Sequence, residues 1–221
     1  MSESRFEAVL WDMDGVIADT ADYHYGAWRD VFGESGVAFS KEDFMRHFGR
    51  RHDTIIKFAL GDKLTPEEVD AIAGKKQVIY RERVSKNVVP LPGAIELIKL
   101  LNKHRIKTAI ATSAVLKNID VILKGLGIQD SFQAIAYGTE VAEGKPSPQI
   151  FQLAATRLGV RPADCVVIED AIAGVAAAKR AGMKCIAVTN SHPGMSLKNA
   201  DLIVDTLEKV DIEILRSLFN S

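Results

Sequence analysis

The sequence predicts an α/β fold, a doubly wound parallel sheet with a small helical domain inserted in it. Two observations carry this. Short β-branched runs recur along the chain with helical patterns between them, and one long stretch after the first run contains helical patterns but no strand. Strands alternating with helices build βαβ units and hence a parallel sheet.

The runs are FEAVLWD, IKTAIAT, QAIAYG, CVVIED, MKCIAVT and a weaker DLIV. Each reads as apolar on both faces, the pattern of strands covered by helices above and below. Between about Thr20 and Asn87 the alternation stops. The segments ADYHYGAWRDVFGESG, SKEDFMRHFGRRHDTIIKFALG and TPEEVDAIAGKKQVIYRERVSK read as helical. Ser40 and Thr65 are predicted N-caps, each followed by acidic residues, and Pro66 suits a first helical position. VVPLPG then reads as the return linker. The expected division is a core of residues 1–17 and 89–221 and a helical domain of residues 18–88.

The bulk numbers narrow the partners. Of 221 residues, 47% are hydrophobic, enough for a substantial core, and a monomer is the expected state. Lys and Arg number 28 against 29 Asp and Glu, so the formal charge is -1 and no nucleic-acid footprint is expected. No apolar run is long enough to span a membrane. The opening MSESRFE carries charges where a secretory signal would be apolar. Cys165 and Cys185 sit in apolar runs and read as buried, reduced thiols. A cytoplasmic protein with a small-molecule partner is the expectation.

In WDMDGV, Asp12 and Asp14 are two residues apart, so in extended backbone both side chains point the same way at the end of the first strand. Ligands bind at that carboxyl edge in open α/β sheets. Glu169 and Asp170 follow another strand, CVVIED, and a parallel sheet places them on the same edge. Four carboxylates there call for a cation, and hard oxygen ligands that leave room for water and phosphate suit Mg²⁺. Asp170 can equally be read as the N-cap of the helix AIAGVAAAKRAG. Two more loops bring the complement. Thr112 and Ser113 end IKTAIATSA with hydroxyls and backbone N–H groups suited to a phosphate oxygen. Lys145, in EGKPSP, can neutralise both a nucleophilic carboxylate and an incoming phosphoryl group.

DMDGVIADT, the ATSA strand end, GKPSP and IEDAIAGVAAAKRAG together resemble, in order, the four motifs of the haloacid dehalogenase superfamily. The helical insertion resembles the cap of its β-phosphoglucomutase-like subfamily, which includes sugar-phosphate phosphatases as well as the mutase. The resemblance implies a Rossmannoid core in which Asp12 is the nucleophile forming an aspartyl-phosphate and Asp14 is the general acid and base. It implies Mg²⁺ held by Asp12, the backbone carbonyl of Asp14 and Asp170, with Glu169 nearby. Thr112 and Lys145 would bind the transferring phosphoryl group, helped by backbone groups of Ser113 and Ala114. In the cap, Thr20 matches a hinge position, His24 a histidine coupling closure to Asp14, and Lys76 a lysine reaching toward substrate. The segment Gly49, Arg50, Arg51, His52 matches the loop where the mutase uses an arginine for the distal phosphate; the alignment puts His52 there. Beyond ATSA, Lys117 and Asn118 only partly replace the polar residues that hold that phosphate in the mutase. Both departures favour a phosphatase of a small phosphate ester over the mutase. A reading of another class is a phospho-accepting receiver-type signalling domain, against which the long insertion argues.

Overall fold

The structure is a computed structural model, and it describes residues 5–220. The first four residues of the MSESRFE opening lie outside the described residues. Six strands, β1 (Ala8–Trp11), β2 (Lys107–Thr112), β3 (Ala134–Tyr137), β4 (Cys165–Glu169), β5 (Lys184–Val188) and β6 (Leu202–Val204), form one parallel sheet in the order β3-β2-β1-β4-β5-β6. The chain builds outward from β1 to β2 and β3, then returns to β1's other side with β4. This reversal makes the carboxyl end of β1, where Asp12 stands, the switch point of the sheet, at which a crevice opens.

The pleat sorts β1 between two cores. Val9 and Trp11 belong to one buried cluster, with residues of α5 (Ala94–Lys103) and α6 (Leu116–Leu126); Ala8 and Leu10 belong to the other, with residues of α7 (Gln149–Leu158) and α8 (Ile172–Arg180). Helices on both faces explain why the strands are apolar throughout. Cys165 and Cys185 are buried free thiols in β4 and β5, as the sequence predicts. Among the described residues no helix is long and apolar enough to cross a membrane.

Between β1 and α5 the chain forms α1 (Ala21–Glu34), α2 (Lys41–His47), α3 (His52–Leu60) and α4 (Pro66–Val84) and no strand. These helices have a core of their own, in which Trp28, Phe32, Phe39, Phe44, Phe48, Ile55 and Ile56 are buried. The predicted caps form: Ser40 accepts from the Asp43 amide at 3.0 Å, and Thr65 and Glu68 make a reciprocal capping box with Pro66 in the first turn. The stretch from Ser40 to Gly61, expected as one helical pattern, is two helices. Gly49, at φ 79°, turns the chain between them in a conformation that favours glycine. Helix α4 joins both cores, since Ala73 packs in the helical cluster while Tyr80 and Val84 pack against the sheet side. The two connecting segments run antiparallel, Asp19 N to Val89 O at 2.9 Å and Leu91 N to Ile17 O at 3.0 Å.

Candidate active site

The first half of the site is a buried cluster of carboxylates around one lysine. Asp12, Glu169 and Asp170 each bring an oxygen within 4.8 Å of the others. Lys145 Nζ reaches Asp12 Oδ1 at 2.6 Å and also Glu169 Oε1. Burial pushes the Asp12 carboxyl up to about 7, against the pull of Lys145. Burial, then the charges of Glu169 and Asp12, push Asp170 well up, although the Ser191 hydroxyl, donating to Oδ2, opposes this. The other oxygen of Asp170, Oδ1, is buried with no partner. A bare carboxylate oxygen facing two more carboxylates fits a hard divalent cation bound by oxygen ligands.

Asp170 does not cap α8. That helix starts at Ile172 with no side-chain cap, and Glu169 Oε2 accepts the Asp170 and Ala171 amides at 3.0 and 3.1 Å. Glu169 ties the two residues that lead into the helix and leaves Asp170 to the cluster. Gly15, at φ 83°, closes the turn after Asp14, and a Cβ there would lie 2.0 Å from Asp170 Oδ2. The glycine of DMDG is therefore the wall against which this carboxylate rests.

The second half of the site is built on Asp14, which turns to the helical domain. Thr20 Oγ1 donates to its Oδ1 at 2.6 Å, His24 Nε2 lies 3.0 Å from the same oxygen and Tyr80 Oη 3.4 Å. Lys76 Nζ is 2.5 Å from His24 Nδ1, and the His24 ring stacks on Tyr80 at 4.0 Å. These partners assign the tautomer: Nε2 donates to Asp14 and Nδ1 accepts from Lys76. Burial opposes ionisation of Asp14, but His24, Thr20 and Lys76 outweigh it and hold the carboxyl below its ordinary value. A charged His24 would lower Asp14 most, yet burial and Lys76 hold the imidazole itself below its usual range. The hydrogen bonds from His24 and Thr20 need no such charge, and together with Lys76 they keep Asp14 ionised. Burial brings Lys76 down to about 7.

A cavity of about 50 Å³ opens where the two halves meet, with Asp12, Asp14 and Thr112 at its floor. Ser113, Ala114 and Asn118 line it from the core, and Gly49, Arg50, His52 and Lys76 from the helices. Burial holds His52 below its usual value. Thr20 acts through Asp14 and does not line the cavity. Arg51, expected at substrate, does not line it either; its guanidinium donates to the carbonyls of Val141 and Ala142 at 3.1 and 3.2 Å, a contact between helices and core. The Asn118 amide is already engaged, donating to Gln77 Oε1 at 2.7 Å and accepting from Arg81 at 3.2 Å. The Ala114 N–H, expected to face phosphate, donates to Thr112 Oγ1 at 3.2 Å.

Sequence reasoning missed Trp28, Phe44, Phe48 and Ile55, the apolar wall of the cavity, along with Tyr80 and Ser191. Their signals were present. Tyr80 stands four residues after Lys76, on the same face of a helix, and Ser191 follows β5, the strand beside β4.

The sequence model of the haloacid dehalogenase-like hydrolases matches residues 6–182. The chain belongs to that family. It is 36% identical over 217 residues to a β-phosphoglucomutase of Bacillus subtilis (strain 168), covering 95% of this chain and 93% of that one. It is 34% identical over 188 residues to a fructose-1-phosphate phosphatase of Escherichia coli (strain K12), covering 83% and 97%. The crystal structure of a β-phosphoglucomutase from Clostridium difficile superposes with a TM-score of 0.88 at 31% identity, covering 97% of each chain. These similarities place the chain in the β-phosphoglucomutase-like subfamily and make it an enzyme, a phosphatase or a phosphomutase. The receiver-type switch weighed above is set aside.

Proposed function

We propose that this haloacid dehalogenase-like enzyme is a Mg²⁺-dependent phosphatase of a small phosphorylated metabolite, of the sugar-phosphate class on which its relatives act. The observation that carries the reading is the division of labour between two aspartates. Asp12 lies in the carboxylate cluster beside Lys145, while Asp14 lies at the cavity in the grip of Thr20 and His24. One is placed to attack and the other to move a proton.

In this reading residues 18–88 are a cap on a core of residues 1–17 and 89–221. Asp12, the backbone carbonyl of Asp14 and Asp170 hold Mg²⁺, with Glu169 beside them. The ion, when bound, neutralises charge on the phosphoryl oxygens and on Asp12. Asp12 Oδ attacks phosphorus and the bond to the ester oxygen breaks. Asp14 gives its proton to that leaving oxygen. It is ionised at rest, and the anionic substrate entering beside it raises its proton affinity. Asp14 then takes a proton from water, whose oxygen attacks phosphorus and frees the Asp12 carboxylate. Lys145, Thr112 and the backbone at Ser113 hold the phosphoryl oxygens.

Hydrolysis is favoured over mutation by the far end of the cavity. Asn118 is occupied by Gln77 and Arg81, and the cap wall sets the apolar Trp28, Phe44, Phe48 and Ile55 beside the polar His24, Arg50, His52, Lys76 and Gln77. An Asn118 held in this way is a poor ligand for a second phosphate. The alternative, a β-phosphoglucomutase, draws its support from the 36% identity to the Bacillus subtilis enzyme.

The test is inorganic phosphate release with Mg²⁺ from a panel of sugar and small-metabolite phosphates. It runs beside a coupled assay for glucose 6-phosphate formed from β-glucose 1-phosphate with trace bisphosphate. Rapid release from one monoester, abolished in Asp12→Asn, is the expected result. Rapid glucose 6-phosphate formation with little free phosphate would replace the phosphatase by the mutase.

A further inference from the structure

The turn between α2 and α3 meets the loops that follow three of the strands. After β2, Ser113 donates its hydroxyl to the Gly49 carbonyl at 3.0 Å. After β4, Ala171 Cβ is so close to Gly49 that a Cβ on the glycine would lie 3.1 Å from it. After β3, Arg51 Nη1 donates to the carbonyls of Val141 and Ala142. The stem of Arg51 lies across Gly144, where an added Cβ would come within 2.6 Å of its Cδ and 2.8 Å of its Cγ. Its other nitrogen faces Asp53 at 3.6 Å.

Gly144 immediately precedes Lys145, whose Nζ touches Asp12 at 2.6 Å. The segment that carries this lysine is also tied by single bonds, Glu143 N to Gln149 Oε1 at 3.1 Å, Ser147 N to Gly144 O at 3.0 Å and, on its far side, Arg180 Nη1 to Pro146 O at 3.0 Å. Arg51 adds a charged donor that spans two successive carbonyls, a contact stronger than one between neutral groups. A lysine, with a compact ammonium on a flexible stem, could not reproduce the planar guanidinium that meets both carbonyls.

We propose that Arg51 is a positioning residue, a clamp from the cap that holds the 141–144 segment and thereby sets Lys145 against Asp12 when the cap is shut. Phosphoryl transfer is thus coupled to closure through the loop that carries the lysine. The inference rests on the roles given to Lys145 and Asp12 under the proposed function. A displacement of about 1 Å in a positioned group can cost about a hundredfold in rate.

The test compares wild type, Arg51→Ala, Arg51→Lys and Gly144→Ala by amide hydrogen exchange of the ligand-free protein and by steady-state kinetics on the hydrolysed monoester. Faster exchange is expected at residues 143 and 147 in Arg51→Ala and Gly144→Ala, with the β1 and β4 amides unchanged. In both, kcat should fall about tenfold to a hundredfold with KM little changed, Arg51→Lys should recover only part, and the double variant should be no worse than the poorer single one. Unchanged exchange in Arg51→Ala would overturn the clamp. Faster exchange with wild-type kcat would make it a structural strap uncoupled from chemistry, and a rise in KM alone would make Arg51 a substrate ligand; either refutes the proposal. If wild type hydrolyses no ester, the phosphatase reading fails while the exchange measurement still decides whether Arg51 holds the loop.

Discussion

Replacing Lys145 by methionine removes the cation that Asp12 and Glu169 share while keeping most of the side chain's volume. The lysine side chain is 2% exposed and its partners 5% and 0%. Removing one member of a buried ion pair costs about 3–5 kcal/mol, because the remaining charge is left without compensation. That cost applies only while the carboxylates stay ionised. Burial already pushes Asp12 up to about 7 with the lysine present, and without it the carboxyl rises further. A carboxyl raised in the folded state contributes stability that is full below its unfolded value of 3.8 and is lost as pH rises through the folded value. The variant should therefore lose less stability near pH 5, where Asp12 is protonated, than near pH 8, where the loss is about 3–5 kcal/mol, with part of the loss restored by saturating Mg²⁺. Urea denaturation followed by circular dichroism, at both pH values with and without Mg²⁺, measures all three. An equal loss at both pH values, or none near pH 8, would refute the charge argument and leave Lys145 as an ordinary packed side chain.

Ser191→Ala removes the hydroxyl on Asp170 Oδ2 and should weaken Mg²⁺ binding about tenfold to a hundredfold, read by calorimetric titration; unchanged affinity would count against Asp170 as a ligand. Gly15→Ala should do at least as much, since its Cβ would meet that carboxylate at 2.0 Å, and it should also lower the melting temperature through the cost of the left-handed backbone, about 1–3 kcal/mol. Thr20→Val deletes a 2.6 Å donor to Asp14, destabilising the carboxylate by about 1.5–3 kcal/mol, so the acid limb of the pH–rate profile should move to higher pH. An unmoved limb would remove Asp14 from the proton transfers. Asp164 accepts from Arg161 Nε at 2.6 Å and Nη2 at 2.8 Å, and from the Arg5 amide at 2.8 Å; these bonds overcome burial and hold its carboxyl low. That stability is present above the unfolded pKa and lost as pH falls through the folded one. Asp164→Asn should accordingly cost about 1–2 kcal/mol near neutral pH, at the low end because Arg161 is half exposed, and nothing in strong acid.

How much of this was legible in the sequence follows from where each contact is encoded. Strand-end residues were legible because a parallel sheet delivers every carboxyl end to one edge. Asp12, Thr112 and Asp170 needed only the strand assignment to be brought together. The same rule extends to Ser191 after β5, whose neighbour in the sheet is β4, so its place on Asp170 was within reach of the topology. Capping was legible at Ser40 and Thr65, where side chain and amide are three residues apart, and illegible at Asp170. There the helix starts without a side-chain cap, Glu169 ties the amides of Asp170 and Ala171 ahead of it, and the Asp170 carboxylate turns to the cluster. The turn from Gly49 to His52 marks the real limit. Arg50, Arg51 and His52 are neighbours of similar chemistry, and which of them faces the cavity depends on a positive φ at Gly49 and on a seat at Gly144 nearly a hundred residues away. The partners of this turn are mainly backbone: the carbonyls of Val141 and Ala142 for Arg51, and the Gly49 carbonyl for Ser113. Every residue carries a carbonyl, so such contacts leave no residue-type signature. The helical insertion and the sheet domain touch through these groups, and for that reason the carboxylate cluster reads from the sequence while this contact requires the fold.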